Sequence, residues 1–189
     1  MPPKLKISKE DIIKTAIELV RKNGEEAINA RAIAKELDCS TQPIFSNFYS
    51  MQELKFSVIE RADTLCQEYI ENEIKAQKYP EYKASGMAYI RFAREERELF
   101  KLLYMRDRRG EQDTLGEDAL TNKMHDMVNA NTGLENDTAK LFHLEMWACV
   151  HGIASMVATR FLELDEKIIS KIITDIYKGL VKEYKDGSN

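Results

Sequence analysis

Residues 29–48 read NARAIAKELDCSTQPIFSNF, and the architecture of the chain follows from how this segment folds. Ile33, Ala34 and Leu37 recur at helical spacing behind Asn29, a residue type suited to an N-cap. Asp38-Cys39-Ser40 then interrupts the period. A second short run extends from Thr41 to Phe48, with Ile44 and Phe48 one turn apart and pointing inward. Ser40 is expected to cap this run, and Pro43 falls in its first turn, where a missing N–H costs little. Two short helices joined by a tight turn form the pattern of a helix-turn-helix. The outer face of the second would show Thr41, Gln42, Ser46 and Asn47, small enough for a major groove about 12 Å wide. A three-helix subdomain with a merely solvated polar face fits the same periodicity, so spacing alone leaves both readings open.

On either side the sequence stays helical. Ile12, Ile13, Ala16, Ile17 and Val20 share one face of a helix that Ser8 caps and Gly24 stops. A long helix is predicted over about 52–78, with Leu54, Val58, Ile59, Ala62, Leu65, Cys66, Tyr69 and Ile70 inward. Pro80 opens the next helix, and Glu95–Arg97 breaks it before residues 99–105. Residues 106–116 (RDRRGEQDTLG) read as the clearest loop. Helices over 117–131, 137–163 and 165–184 complete the chain, and the second of these is apolar nearly all round. With eight Gly, four Pro and no alternating β-branched run, the fold class is all-α. The expected domains are a helix-turn-helix head over 1–50 and a larger helical domain over 51–189.

A chain of 189 residues with 43% hydrophobic content can bury a substantial core and is too apolar for disorder. The longest charge-free stretch, Met146–Thr159, is shorter than the roughly eighteen residues of a membrane span, so no membrane partner is expected. The segment MPPKLKISKED has no apolar region of the signal-peptide kind. Cys39, Cys66 and Cys149 are odd in number and far apart, which argues against disulfides and for a reducing cytoplasm. The net charge of −4 argues against nucleic acid until it is located. Residues 1–60 hold nine basic and nine acidic side chains, so the acidic surplus belongs to the remainder. Lys4, Lys6 and Lys9 precede the first acid and form a basic arm, able to lie along phosphates or to fray in solvent.

From Ile7 to Leu54 the chain resembles the DNA-binding domain of the TetR family of bacterial regulators. The matching residues are Ile12-Ile13-Lys14-Thr15-Ala16 with Leu19, Val20 and Gly24, then Ile33-Ala34-Lys35-Glu36-Leu37 and Ser40. Ile44-Phe45-Ser46-Asn47-Phe48 and Glu53-Leu54 complete the set. The resemblance implies a homodimer on a palindromic double-stranded DNA operator, released by a small-molecule inducer whose identity the sequence does not give. Asp38 stands where the family usually has Gly, Phe45 where Tyr is common, Asn47 where His is common and Met51 where Lys is common. The usual Tyr and Lys touch phosphates, so Tyr49 and Lys55 become the candidate replacements. Arg31 falls at a position that reaches a base in some members, and a bidentate contact to guanine suits it. The candidate DNA-binding set is Lys4, Lys6, Arg31, Ser40, Thr41, Gln42, Phe45, Ser46, Asn47, Tyr49 and Lys55.

The last two helices carry more apolar surface than one small domain covers. Pairing them with a second copy would form a two-fold four-helix bundle through Ile153, Val157, Phe161, Ile169, Ile172, Ile173, Ile176 and Leu180. Trp147 and His151 stand i, i+4 before Gly152, and this Trp-His-Gly pattern resembles one C-terminal subtype of the same family. An apolar ligand pocket is expected within 52–163, walled by Tyr89, Phe92, Phe100, Tyr104, Phe142, Trp147 and His151. The same residues also fit plain core packing. No phosphate-cradling Gly loop, metal-ligand spacing or nucleophile elbow occurs, so no enzyme activity, cofactor or metal is expected. His143 and His151, eight residues apart, lack the i, i+4 pairing of a helical metal site.

Overall fold

A computed structural model of the chain describes residues 7–107 and 119–186. Every regular element among them is helical, with α1 Lys9–Asn23, α2 Ala30–Glu36, α3 Gln42–Asn47, α4 Met51–Lys75, α5 Glu81–Glu95, α6 Arg97–Tyr104, α7 Ala119–Thr132, α8 Asn136–Ala158 and α9 Glu166–Asp186. The all-α expectation holds. The chain divides into two compact units, one of Met1–Leu65 with Glu96–Arg106, the other of Cys66–Glu95 with Asp107–Asn189. Most of the loop expected over 106–116 lies outside the described residues, as do Lys4 and Lys6.

The first unit is built on α1. Ser8 caps it with a full capping box, its hydroxyl accepting from the Asp11 N–H while the Asp11 carboxylate accepts from the Ser8 N–H. These bonds hold the Asp11 carboxyl below its usual range. Gly24 ends the helix at φ 76°, a left-handed angle that favours glycine. Ile12, Ala16, Ile17 and Val20 are buried, and against them the unit folds α2, α3 and α6. Asn29 caps α2 by accepting from the Ala32 N–H.

The turn after α2 explains the family-atypical Asp38. The Cys39 N–H reaches the Ala34 carbonyl and the Asp38 N–H reaches that of Lys35, the paired bonds of a Schellman motif. That motif needs one left-handed residue, and Asp38 supplies it at φ 48°. Asp tolerates this angle better than most side chains, so the departure from Gly is conformationally conservative. Ser40, expected as the cap of α3, stands one residue too early. Thr41 occupies the cap, with helical backbone angles and no side-chain cap bond.

In this unit α6 also departs from the expected boundary at residue 50. Leu99, Phe100, Leu102 and Leu103 are buried there and α6 packs against α1. The Arg21 guanidinium grips the Glu96 carboxylate with two bonds, of 2.8 and 2.7 Å, and takes a third carboxylate oxygen from Glu18 at 2.5 Å. These carboxylates raise the Arg21 pKa further above its ordinary value.

In the second unit α8 is the central helix, packed by α5, α7 and α9. It is long and apolar enough to cross a membrane by length and composition, with a mean hydropathy of 1.3 over its most apolar window. Neighbouring helices bury its Phe142, Met146, Val150, Ile153 and Val157, while Leu141 and Leu144 stay exposed. Gly86 lets α5 approach closely, since a Cβ there would stand 3.3 Å from Val150 Cγ2. The helix expected over 137–163 stops at Ala158. Arg160 adopts φ 57°, and the Phe161 N–H folds back to the Met156 carbonyl, closing α8 with a second Schellman turn.

Removing the α1 cap by Ser8→Ala is expected to cost about 1 kcal/mol. A urea-denaturation midpoint unchanged from wild type would contradict the capping role.

Candidate nucleic-acid interface and ligand core

Two sets of candidate residues can be placed, one in each unit. In the first, the short helix α3 is held by Ile44 and Phe48, only 0% and 2% exposed. Lys9 completes this seat, its ammonium 4.7 Å above the Phe48 ring and 3.1 Å from the Glu53 carboxylate. Fixing that face inward turns Gln42, Phe45 and Ser46 outward, and all three are exposed. Arg31 on α2 and Ser40 in the turn are exposed too, while Thr41 is half-buried.

The remaining DNA-binding candidates divide sharply. Asn47 is half-buried, and its amide donates to the Pro43 carbonyl at 2.7 Å and to that of Ile7 at 3.4 Å. It ties α3 to the start of the chain instead of facing outward. The Ser46 hydroxyl donates back to the Gln42 carbonyl at 2.9 Å. Tyr49 is fully exposed, with its N–H anchored on Glu53, so its hydroxyl is presented to solvent as a phosphate donor would need to be. Lys55 is instead ion-paired with Glu25. Lys22 lies 3.9 Å from Glu36. The neutral charge balance of the head thus has a structural form, in which several cations are answered by acids of the same unit.

In the second unit, Tyr89, Phe92 and Phe142 are buried, and Trp147 and His151 half-buried. Trp147 stacks on His151 with ring centroids 4.8 Å apart and planes 23° apart. The Tyr89 hydroxyl lies 2.9 Å from His151 Nδ1 and accepts a hydrogen bond from Trp147. Which of the two donates in this contact is set by the His151 tautomer. Burial favours the neutral imidazole, lowering the His151 pKa below 6.5. Burial likewise pushes the Tyr89 phenol above its ordinary range.

A second rung repeats this arrangement. The Tyr82 hydroxyl lies 2.9 Å from His143 Nδ1, and burial raises the Tyr82 pKa. Tyr82 and Tyr89 are seven apart on α5 and their histidines eight apart on α8, so the helices run side by side in the same direction. Sequence reasoning used the eight-residue spacing only to set metal binding aside. Its positive meaning, two histidines on one face meeting two tyrosines two turns apart, requires the α5–α8 pairing. Phe100 and Tyr104 do not join this set. They belong to the first unit, where their rings lie 5.1 Å apart. A groove elsewhere in the second unit is lined by Lys78, Tyr79, Glu166, Lys171, Thr174 and Asp175, none of them a residue expected to wall the ligand pocket.

The dimerisation candidates also divide. Ile153, Val157, Ile169 and Ile173 are 2–5% exposed within the single chain, because α5, α7, α8 and α9 already bury them. Ile172, Ile176 and Leu180 are half-buried, and Phe161, in the turn after α8, is 81% exposed. Ile168, which begins the Ile-rich stripe of α9, is exposed, and so are Leu141, Leu144 and Leu162, which the periodicity did not single out. The spacing of Leu141, Leu144 and Ala148 on one stripe of α8 was the available signal, obscured because that helix is apolar on several sides.

The fold and these sites define an all-helical protein in which a helix-turn-helix unit accompanies a larger helical unit. Residues 82–171 match the family model described as the tetracyclin repressor-like C-terminal domain. This segment, which spans α5 to the start of α9, is thus similar to the C-terminal domain of tetracyclin repressor-like proteins. The match does not single out the Trp-His-Gly subtype. Among solved structures the chain is similar to a protein of unknown function from Rhodococcus sp. RHA1, with TM-score 0.72, 20% identity and coverage of 96% of this chain and 98% of that one. It is also similar to a TetR-like transcriptional regulator from Rhodococcus sp. RHA1, with TM-score 0.60, 15% identity and 99% coverage of both chains. No curated protein sequence matches the chain.

The lowered His151 pKa makes stability depend on pH with a definite sign. The folded state favours neutral imidazole, so this contribution is full above about pH 6.5 and declines as pH falls from there towards the lower folded pKa, because the unfolded chain takes up the proton first. The wild-type urea midpoint is expected to fall more steeply below about pH 6.5 than that of His151→Gln. Parallel profiles for the two proteins would contradict this.

Proposed function

We propose that the protein is a non-enzymatic, ligand-responsive transcriptional regulator of the cytoplasm, acting as a repressor on a palindromic operator that it binds as a homodimer. The observation that carries this reading is the α3 face, whose inward residues are fully used by the core while Gln42, Phe45 and Ser46 stand exposed beside Arg31 and Tyr49. A short helix with one face anchored and the other bare suits insertion into a major groove. Each subunit would place α3 in successive major grooves about 34–36 Å apart. Arg31 would contact a base edge and Tyr49 a phosphate.

Support for the dimer comes from the exposed apolar residues of α8, α9 and the turn between them, Leu141, Leu144, Phe161 and Ile168. Among the described residues outside the helix's own turns, nothing stands within 4 Å of a Cβ built on Gly152 or Gly179. Glycine inside a helix costs roughly 1 kcal/mol against Ala, and no contact within the described residues offsets it at these two positions. A partner helix approaching closely would. Substituting Leu144→Glu is expected to shift the protein to monomer in sedimentation equilibrium while its helical circular dichroism is retained.

Trp147, His151 and Tyr89 form the proposed ligand-responsive centre, with an inducer displacing or adding to their polar contacts. A ligand acts only through differential affinity for the two arrangements of the heads. The competing reading, a helical small-molecule-binding or scaffold protein with degraded DNA binding, is favoured by the intrachain pairing of Lys9, Lys22 and Lys55.

Binding to duplex DNA as a function of salt separates the two. Each phosphate neutralised contributes about −0.9 to the slope of log K against log salt. With few unpaired cations per head, a dimer on its selected site is expected to show a slope of about −5 or shallower. Failure to retain any sequence from a random duplex pool at low salt would favour the competing reading.

A further inference from the structure

We propose that Phe45 is a specificity residue that reads the 5-methyl group of thymine in the major groove. The inference rests on the DNA-binding reading above and names what one position of α3 recognises. Phe45 is 55% exposed on a helix whose other two large apolar side chains, Ile44 and Phe48, are 0% and 2% exposed. The core therefore does not use its ring. A phenyl ring has no donor for a phosphate oxygen, and no Lys or Arg occurs between Lys35 and Lys55 in the sequence. The ring thus stands on the outward face of α3 without a cation close to it along the chain.

The neighbouring polar groups narrow the possibilities. The Asn47 amide is spent on the Pro43 and Ile7 carbonyls, and the Ser46 hydroxyl proton on the Gln42 carbonyl. On that face this leaves the exposed Gln42 amide and the Phe45 ring. They stand i, i+3, about 4.5 Å apart along the helix axis, against about 3.4 Å between successive base pairs, so the two side chains are spaced to reach neighbouring pairs. In the major groove an amide suits the N6/N7 edge of adenine, and an apolar ring suits the thymine methyl, the one apolar group a base presents there. Cytosine carries a hydrogen at the same carbon, so the contact discriminates thymine from cytosine. A head whose cations are largely self-paired has few phosphate contacts to rely on, which gives such base contacts more weight.

The test begins with the full-length protein and a pool of random duplexes, from which retained sequences are enriched. The enriched duplex is then remade with deoxyuridine at each thymine in turn, which removes the methyl and keeps the base pairing. One thymine in each half-site is expected to lose about fourfold in affinity on losing its methyl. Phe45→Ala is expected to lose a comparable factor on the thymine duplex and to bind the thymine and deoxyuridine duplexes equally. Because the deoxyuridine series uses wild-type protein, the test does not depend on the variant folding. Enrichment of a site in which no methyl affects affinity overturns the proposal and leaves the DNA-binding reading intact. Continued discrimination by Phe45→Ala has the same consequence. No enrichment overturns the DNA-binding reading, and the proposal with it.

Discussion

The head depends on the burial of Ile44 and Phe48. A six-residue helix has too few internal hydrogen bonds to form alone in water, where even lengths of about 12–15 residues are marginal. Its stability must come from the core it joins, and these two residues are its deeply buried side chains. Once they are seated, every other orientation on α3 follows. Asn47 turns towards Ile7 and Pro43, and Gln42, Phe45 and Ser46 turn to solvent. Lys9 reinforces the seat by lying over Phe48 while pairing with Glu53. The surface proposed to meet DNA is thus a consequence of core packing.

The same unit shows how neutrality and DNA binding are compatible. The equal numbers of acids and bases over residues 1–60 give no net attraction for phosphate, and the ion pairs of Lys9, Lys22, Arg21 and Lys55 consume cations that would otherwise supply some. Exposed pairs of this kind contribute little to stability, typically under about 1 kcal/mol. Their larger effect is on the surface field, which they flatten. Arg21 differs, because its planar fork meets Glu96 at two points and joins α1 to the start of α6.

In the second unit the governing constraint is the close approach of α5 and α8 at Gly86. That approach brings each of two tyrosine hydroxyls to a histidine Nδ1, satisfying polar groups that would be costly to bury alone. The chemistry of the centre is therefore neutral and hydrogen-bonding. Trp147 stacked on His151 presents an aromatic pair whose polar atoms are oriented by Tyr89.

Much of this was legible from residue order. Helix positions, the Ser8 and Asn29 caps, the Gly24 stop and the helix-turn-helix depend on contacts within a few residues, and local patterns record those. The end of α8 and the cap of α3 were not, because Arg160 and Thr41 adopt their angles without a residue type that announces them. The DNA-facing set illustrates the difference. Gln42, Phe45 and Tyr49 were placed outward by spacing and resemblance, and they are exposed. Asn47 and Lys55 stood in the same candidate set, yet they bond to Pro43, Ile7 and Glu25. Membership of Phe100 and Tyr104 in the head's unit, burial of Ile153 and Ile173 within one chain, and the Tyr–His rungs likewise join residues distant in sequence. Periodicity specifies which face of a helix is apolar, since that repeats every three to four residues. Which helix covers that face, and which charge answers which, is set by long-range packing that no single segment encodes.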